Sequence, residues 1–262
     1  MSRAWIVVAS IAVAALIGWG VFHPEFRPDP ALISPEIRKE LAKAGFEQTR
    51  GIKVARFENS GGENETATSE QQMIPLDGLV TEKRSLRQGP HGTEETSGLY
   101  VGPLAVVSFN RTRLPIIADL LPYMNWSPTR MTKFVVEQAE GFPRTKGGIL
   151  RAKVTYEERQ DGRPAQTENH RLRCVVTNLV EAATVAPKLA GQAARIACEE
   201  NLETDGRKPG PAGSLVRNAF SHWYVLDHHW SIPSEGMLAY QVDGRVSIRN
   251  WTSKLVSFEA GN

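Results

Sequence analysis

The chain has 262 residues, 41 % hydrophobic and 23 % charged, with 31 Lys and Arg against 29 Asp and Glu. That is the balance of a folded globular domain, and a formal net charge of +2 with basic residues scattered along the chain argues against a nucleic-acid surface or a polybasic lipid-binding patch. Only two cysteines occur, Cys174 and Cys198, without further Cys or His at ligand spacing, so structural zinc and Cys-x-x-C redox sites are set aside as well.

The first element, Ala4–Phe22 (AWIVVASIAVAALIGWGVF), carries no charge. At about 1.5 Å per residue it makes a helix of roughly 28 Å, close to the roughly 30 Å thickness of a bilayer's hydrocarbon. A buried core helix of this length ordinarily shows a polar stripe. A cleaved signal ends in a small-x-small site, and the only such triplet here, Gly18-Trp19-Gly20, has a bulky centre and no Ala. The expectation is an uncleaved signal anchor over residues 1–22. Arg3 precedes the run, whereas His23–Pro30 sets one Arg against two acids, so the positive-inside bias keeps the N-terminus cytoplasmic. The remainder is then extracytoplasmic, in the periplasm if the cell is bacterial.

Residues 23–33 read as a Pro-rich stalk. In Ser34–Gly45, Ser34 suits the N-cap, Pro35 the first helical position, Glu36 the first turn and Gly45 the left-handed stop, which predicts a short helix. Ile37, Leu41 and Ala44 form a narrow apolar stripe that would dock on the domain edge. Gly51–Glu58 alternates like a strand, while Asn59–Gln72 and Thr81–Gly98 have little to bury and read as mobile loops around a short ordered piece, Met73–Val80. Leu99–Phe109 is rich in β-formers, and Leu114–Met124, between Pro115 and Pro122, predicts a short helix. Residues 34–130 are thus the less regular part of a β-rich domain spanning 34–262.

From Lys133 the pattern is that of an antiparallel sheet. Strands are expected over Lys133–Gln138, Ile149–Glu158, Glu168–Val180, Gly191–Leu202, Phe220–His229, Met237–Val242, Arg245–Trp251 and Lys254–Phe258, with Asp161-Gly162 and Asp243-Gly244 as turns. The fold class is mainly β: an N-terminal transmembrane helix, then an antiparallel β-sandwich or partly open β-barrel with one or two short helices. Cys174 shares a strand face with Leu172 and Val176, and Cys198 one with Ala194 and Ile196, so both point inward. In an exported domain this predicts a disulfide.

The densest group of coordinating side chains is His222 to Trp230 (HWYVLDHHW). On a strand His222 and His228 stand roughly 20 Å apart, too far for one metal, whereas Asp227 and His229 lie roughly 7 Å apart and could share an ion with ligands from elsewhere. His222, Asp227, His228 and His229 are the candidate metal ligands, against the plainer reading of an aromatic sheet surface. The chain has no His-Glu-x-x-His, Gly-x-Ser-x-Gly, phosphate loop or dinucleotide fingerprint, so no catalytic residue is named and no cofactor is expected. The functional expectation is a tethered, non-catalytic binding or assembly module of the cell envelope. Its partners would be the bilayer through residues 4–22 and either another envelope protein or an apolar ligand. The alternatives are a tethered hydrolase or metal-dependent enzyme using His222–His229, and a structural subunit of a larger membrane complex.

Overall fold

The computed structural model describes residues 29–61, 65–77, 79–89, 92–113, 124–158, 165–203, 215–242 and 245–261. The expected anchor at residues 4–22 and most of the stalk lie outside them, as does the helix expected over Leu114–Met124 apart from Met124 itself. Among the described residues no helix is long and apolar enough to cross a membrane.

Twelve antiparallel strands form the body. The first six are β1 (Ile52–Gly61), β2 (Glu65–Asp77), β3 (Val80–Gly89), β4 (Gly92–Val101), β5 (Leu104–Arg113) and β6 (Met124–Glu140). The second six are β7 (Ile149–Glu158), β8 (Gln166–Glu181), β9 (Gln192–Leu202), β10 (Leu215–Val225), β11 (Trp230–Val242) and β12 (Arg245–Ala260). Each strand pairs with the next in the chain, and β1 pairs with β12 from Ile52–Ala260 to Gly61–Trp251, so the sheet closes. A single closed barrel stands where a sandwich or partly open barrel was expected. The reason lies in β1, whose free edge meets that of β12 and leaves no unpaired edge on either.

Of residues 59–72 and 81–98, read from sequence as loops, those that are described lie in β1 to β4. Their strands carry polar side chains on both faces, such as Ser69, Gln71 and Ser85 inward and Thr68, Glu70 and Arg84 outward, so no apolar alternation announces them. The ladders with neighbouring strands hold them extended, an override of local preference by tertiary pairing.

The helix α1 (Pro35–Lys43) forms as its sequence dictates: Ser34 Oγ accepts from the Ile37 N–H, Pro35 occupies the first position, and Gly45 takes φ +77°. Its place follows from unequal hairpins. β5 pairs with β6 only as far as Val107–Arg130, and the next stretch of β6 is covered by α1, whose Glu40 carboxylate accepts the Val136 N–H at 2.9 Å. Ile37, Leu41 and Ala44 are buried in that contact, the stripe that the sequence marks. Just beyond, Phe46 sits edge-on to Phe142 and Tyr224 at centroid distances of 5.6 and 6.2 Å, against Gly102, where a Cβ would stand 2.7 Å from its ring.

The interior divides at the tip of the β10–β11 hairpin, which is buried on both faces from Tyr224 to Leu226 and from His229 to Ile232. Tyr224 and Leu226 face one apolar cluster with Phe46, Leu41, Phe134, Leu150, Val154, Leu172 and Ile196. Val225, Trp230 and Ile232 face a second with Ile52, Ala55, Phe57 and Met73, joined by Ala186 and Leu189 after the one-turn helix α2 (Ala182–Val185). Trp230 is fully buried, its ring 5.6 Å from that of Phe258. This end of the barrel is a packed plug.

Cys174 and Cys198 are directly opposite in the β8–β9 ladder, with Cα atoms 4.0 Å apart, and form the expected disulfide inside the first cluster. The outer wall carries ion pairs: Arg56 bridges Glu70 and Glu259, Lys153 meets Glu137, Arg217 meets Glu199, and Arg195 meets Glu235. Each is exposed and worth little alone. Together they give a wall suited to water, where a lipid-facing barrel would need apolar residues.

The two devices differ in strength. The 24-residue separation of the cysteines corresponds to about 3 kcal/mol of unfolded-state constraint, whereas truncating a fully buried aromatic costs about 3–5 kcal/mol. Urea unfolding should therefore find the Trp230→Ala variant less stable than the Cys174→Ala, Cys198→Ala double variant, with both retaining the native circular dichroism spectrum.

Candidate functional site

The inward side chains change character along the barrel axis. Nearest the plug they are apolar and buried: Leu150, Ala152 and Val154 on β7, Leu172, Cys174 and Val176 on β8, Ile196 on β9. Further along the same strands the inward positions become Tyr156, His170, Glu168 and Glu200, and on β2 and β3 Ser69, Gln71, Lys83 and Ser85. Several of these keep part of their surface exposed although they point into the barrel. Eight strands make a barrel just wide enough for side chains to fill, and twelve enclose more. The half of the lumen away from the plug is a polar, partly solvated cleft, and it is the candidate site.

One group in it draws on opposite walls. Lys83 of β3 stands with its ammonium 4.8 Å from the centre of the Tyr100 ring on β4. His222 lies on β10, five strands away round the barrel in one direction and seven in the other. Its Nδ1 is 2.8 Å from Ser231 Oγ, and its ring packs edge-on to Phe220 at 5.1 Å. Burial drives the His222 imidazole down to about 3, with the positive charge of Lys83 adding to the effect, so this histidine is neutral at neutral pH. Burial alone brings the Lys83 amine from 10.5 down to about 8 and raises the Tyr100 hydroxyl. Lys83 keeps some accessible surface towards the cleft, but protein surrounds it at longer range, and that surrounding governs its charge. Among the described residues it has no carboxylate partner, while Arg87, four residues on, is engaged elsewhere.

A second group lies on β7 to β10. His170 is buried, its Nε2 3.3 Å from Glu168 Oε2 and its Nδ1 3.8 Å from Glu200 Oε1, too long for a hydrogen bond. Both of those last atoms are buried without a hydrogen-bond partner. Glu200 Oε2 accepts from Asn218 Nδ2 at 3.4 Å, and the Tyr156 ring meets that of His170 edge-on at 5.4 Å. Burial first, then the Glu200 charge, holds the Tyr156 hydroxyl well above its ordinary range.

The four residues singled out from sequence are separated. The strand expected to run through to His229 stops at Val225, and Leu226–His229 is the turn into β11, with His229 at φ +48°. His222 alone faces the cleft. At the plugged end His229 Nε2 is 3.1 Å from Glu47 Oε2 and its Nδ1 3.4 Å from the Tyr224 hydroxyl, with burial lowering its pKa and Glu47 opposing. His228 Nδ1 donates to the Arg50 carbonyl at 3.1 Å. Asp227 lies where a Cβ on Gly191, at φ +84°, would approach its Oδ2 to 1.8 Å. These contacts tie the turn to residues 47–51 and to the loop before β9. No three His, Cys, Asp or Glu side chains among the described residues come together as a metal-binding group.

Lys83, Tyr100, Tyr156 and Glu200 escape a reading by motif, because nothing in their spacing along the chain reveals that they converge. Lys83 also sits in a segment read as a loop. Comparison of the chain with protein-family models, with curated proteins and with solved structures finds no match.

The pH dependence of stability follows from the two lowered values. The unfolded chain binds more protons at Lys83 between pH 8 and 10.5 and at His222 between pH 3 and 6.5, so stability rises with pH through both windows. The His222 contribution is complete above pH 6.5 and is lost as pH falls towards 3. A Lys83→Met variant should be more stable than the parent at pH 7, with the difference shrinking towards pH 10.5, as read from urea midpoints across the pH series.

Proposed function

We propose that this chain is a membrane-tethered, extracytoplasmic β-barrel, periplasmic in a bacterium, that binds a small ligand in its lumen and serves as a non-catalytic module of the cell envelope. The observation that carries the reading is that Lys83, over the Tyr100 ring, and His222, beside Ser231, face one barrel interior from opposite walls. Concave sites with an apolar lining and a few convergent polar groups are the usual form of small-molecule pockets. The apolar run Ala4–Phe22 supports the tether, and the Cys174–Cys198 bond suits an oxidising compartment.

An enzymatic reading through His222–His229 draws less support, since Asp227, His228 and His229 are spent on anchoring the β10–β11 turn. Assembly with another envelope protein has one favouring observation: Val246, Ile248 and Val256 on the outer face of β12 are 56, 61 and 64 % exposed. Scattered exposed apolar residues are ordinary on a protein surface, so this remains the second reading.

Full-length protein isolated from membranes is expected to release, on denaturation, a small organic molecule in stoichiometric amount, detectable by mass spectrometry. A Ser85→Trp variant, which fills the cleft from β3, should fold and carry none. Protein that is empty as isolated and whose melting temperature shifts with no member of a small-molecule panel would sink the proposal. Stoichiometric recovery of an envelope protein, lost in a Val246→Ser, Ile248→Ser, Val256→Ser variant, would favour the second reading instead.

A further inference from the structure

We infer that the lumen ligand is an amphiphilic monocarboxylate, its single negative charge paired with Lys83 and its apolar body lying along Phe220, Leu238 and Trp251; this rests on the lumen-binding reading above. The argument begins with charge balance inside the barrel. Glu168 and Glu200 both face His170, and Glu200 also accepts from Asn218. Lys83, by contrast, lies over the face of the Tyr100 ring at 4.8 Å, with no carboxylate partner among the described residues. A buried cation without a counter-charge is costly, and a ring face offsets only a small part of that cost. An anion entering from solvent removes it, whereas a second cation or a neutral ligand does not.

The neighbours of Lys83 limit the charge of that anion. His222 is neutral at neutral pH and the Tyr100 hydroxyl is protonated, so both offer hydrogen bonds and no charge. Lys83 is therefore the positive group between these neighbours, since Arg87 already has a partner and Arg249, in register with Leu238, is exposed to solvent. A carboxylate brings one negative charge, while a phosphate monoester at neutral pH brings nearly two and would leave buried charge of the opposite sign.

The body of the ligand is set by what shares the inner face. Phe220 is next to His222 on that face, 5.1 Å away ring to ring. Leu238 is opposite the inward Asn218 in the β10–β11 ladder. Trp251 lies across Gly236, where a Cβ would come within 2.4 Å of its ring, and a Cβ on Gly61 would come within 3.5 Å of the Trp251 Cβ. Only glycine at position 236 leaves that ring its place. All three apolar side chains are partly exposed in the half of the barrel away from the plug. A polar head at Lys83 with apolar surface beside it fits a molecule that is charged at one end and hydrocarbon along its length.

The test uses the full-length protein in detergent-free nanodiscs, with dodecanoate as probe and dodecanol as its neutral counterpart. Two readouts are taken: calorimetric affinity, and acylation of individual lysines at pH 8 mapped by mass spectrometry, with Lys153 on the outer wall as the internal control. Dodecanoate is expected to protect Lys83 and not Lys153, dodecanol to protect neither, and Lys83→Met to weaken dodecanoate binding about tenfold or more while the variant melts cooperatively. If both probes bind with equal affinity and Lys83→Met changes neither, the monocarboxylate inference is overturned while the lumen remains a binding site. If neither probe binds and Lys83 is acylated at the same rate throughout, the inference is overturned whatever other small molecule the lumen carries.

Discussion

The tip of the β10–β11 hairpin is the piece on which the interior depends. A hairpin at the rim of a barrel normally exposes one face to water, but in this one Tyr224–Leu226 and His229–Ile232 are buried on both. It can be so because its two faces meet different apolar clusters, one built with α1 and β6 to β9, the other with β1, β2 and the loop around α2. The turn itself is pinned by the Arg50 N–H donating to the His228 carbonyl, by the Thr49 hydroxyl donating to the His229 carbonyl, and by Asp227 packed against Gly191. Without that insertion a twelve-stranded barrel would be open at both ends and short of core.

Plugging one end makes the other half of the lumen a cleft with a floor. The inward positions of the strands, apolar at the plug, become polar away from it without any break in the ladders, so the same β-sheet that supplies the core also presents Lys83, Tyr100, His222 and the Tyr156–His170–Glu200 group. A site built on strands is held more rigidly than one built on loops. The disulfide adds to this, because it joins β8 and β9 where the core ends and the polar half begins: Cys174 is followed along the inner face by Leu172 and then by His170.

How much of this was legible beforehand varied with the kind of signal. Helix α1 could be read nearly to the residue, since Ser34, Pro35 and Gly45 act through local backbone chemistry that needs no distant partner. The second half of the sheet and the cystine could be read from the two-residue alternation of Leu150, Ala152 and Val154 and of Leu172, Cys174 and Val176. β2 to β4 could not, because strands lining a polar lumen inside and facing water outside alternate between polar and polar. The candidate site was legible at His222 alone. Its neighbours in sequence, Asp227 to His229, drew attention as coordinating side chains, yet the bend after Val225 gives them a different task.

What the amino-acid order determined by itself was therefore local: the caps and stripe of α1, the inward cysteines, the strand period from Lys133 onward, and the charge-free run at residues 4–22. Tertiary structure alone decided that the sheet closes through β1 and β12, that a hairpin tip plugs one end, and that Lys83 and His222 look across the same lumen. The physical reason is range. Capping and alternation act within a few residues, whereas closure and the convergence of opposite walls join groups more than a hundred residues apart, and no short-range pattern records which distant partner a strand edge or a buried charge will meet.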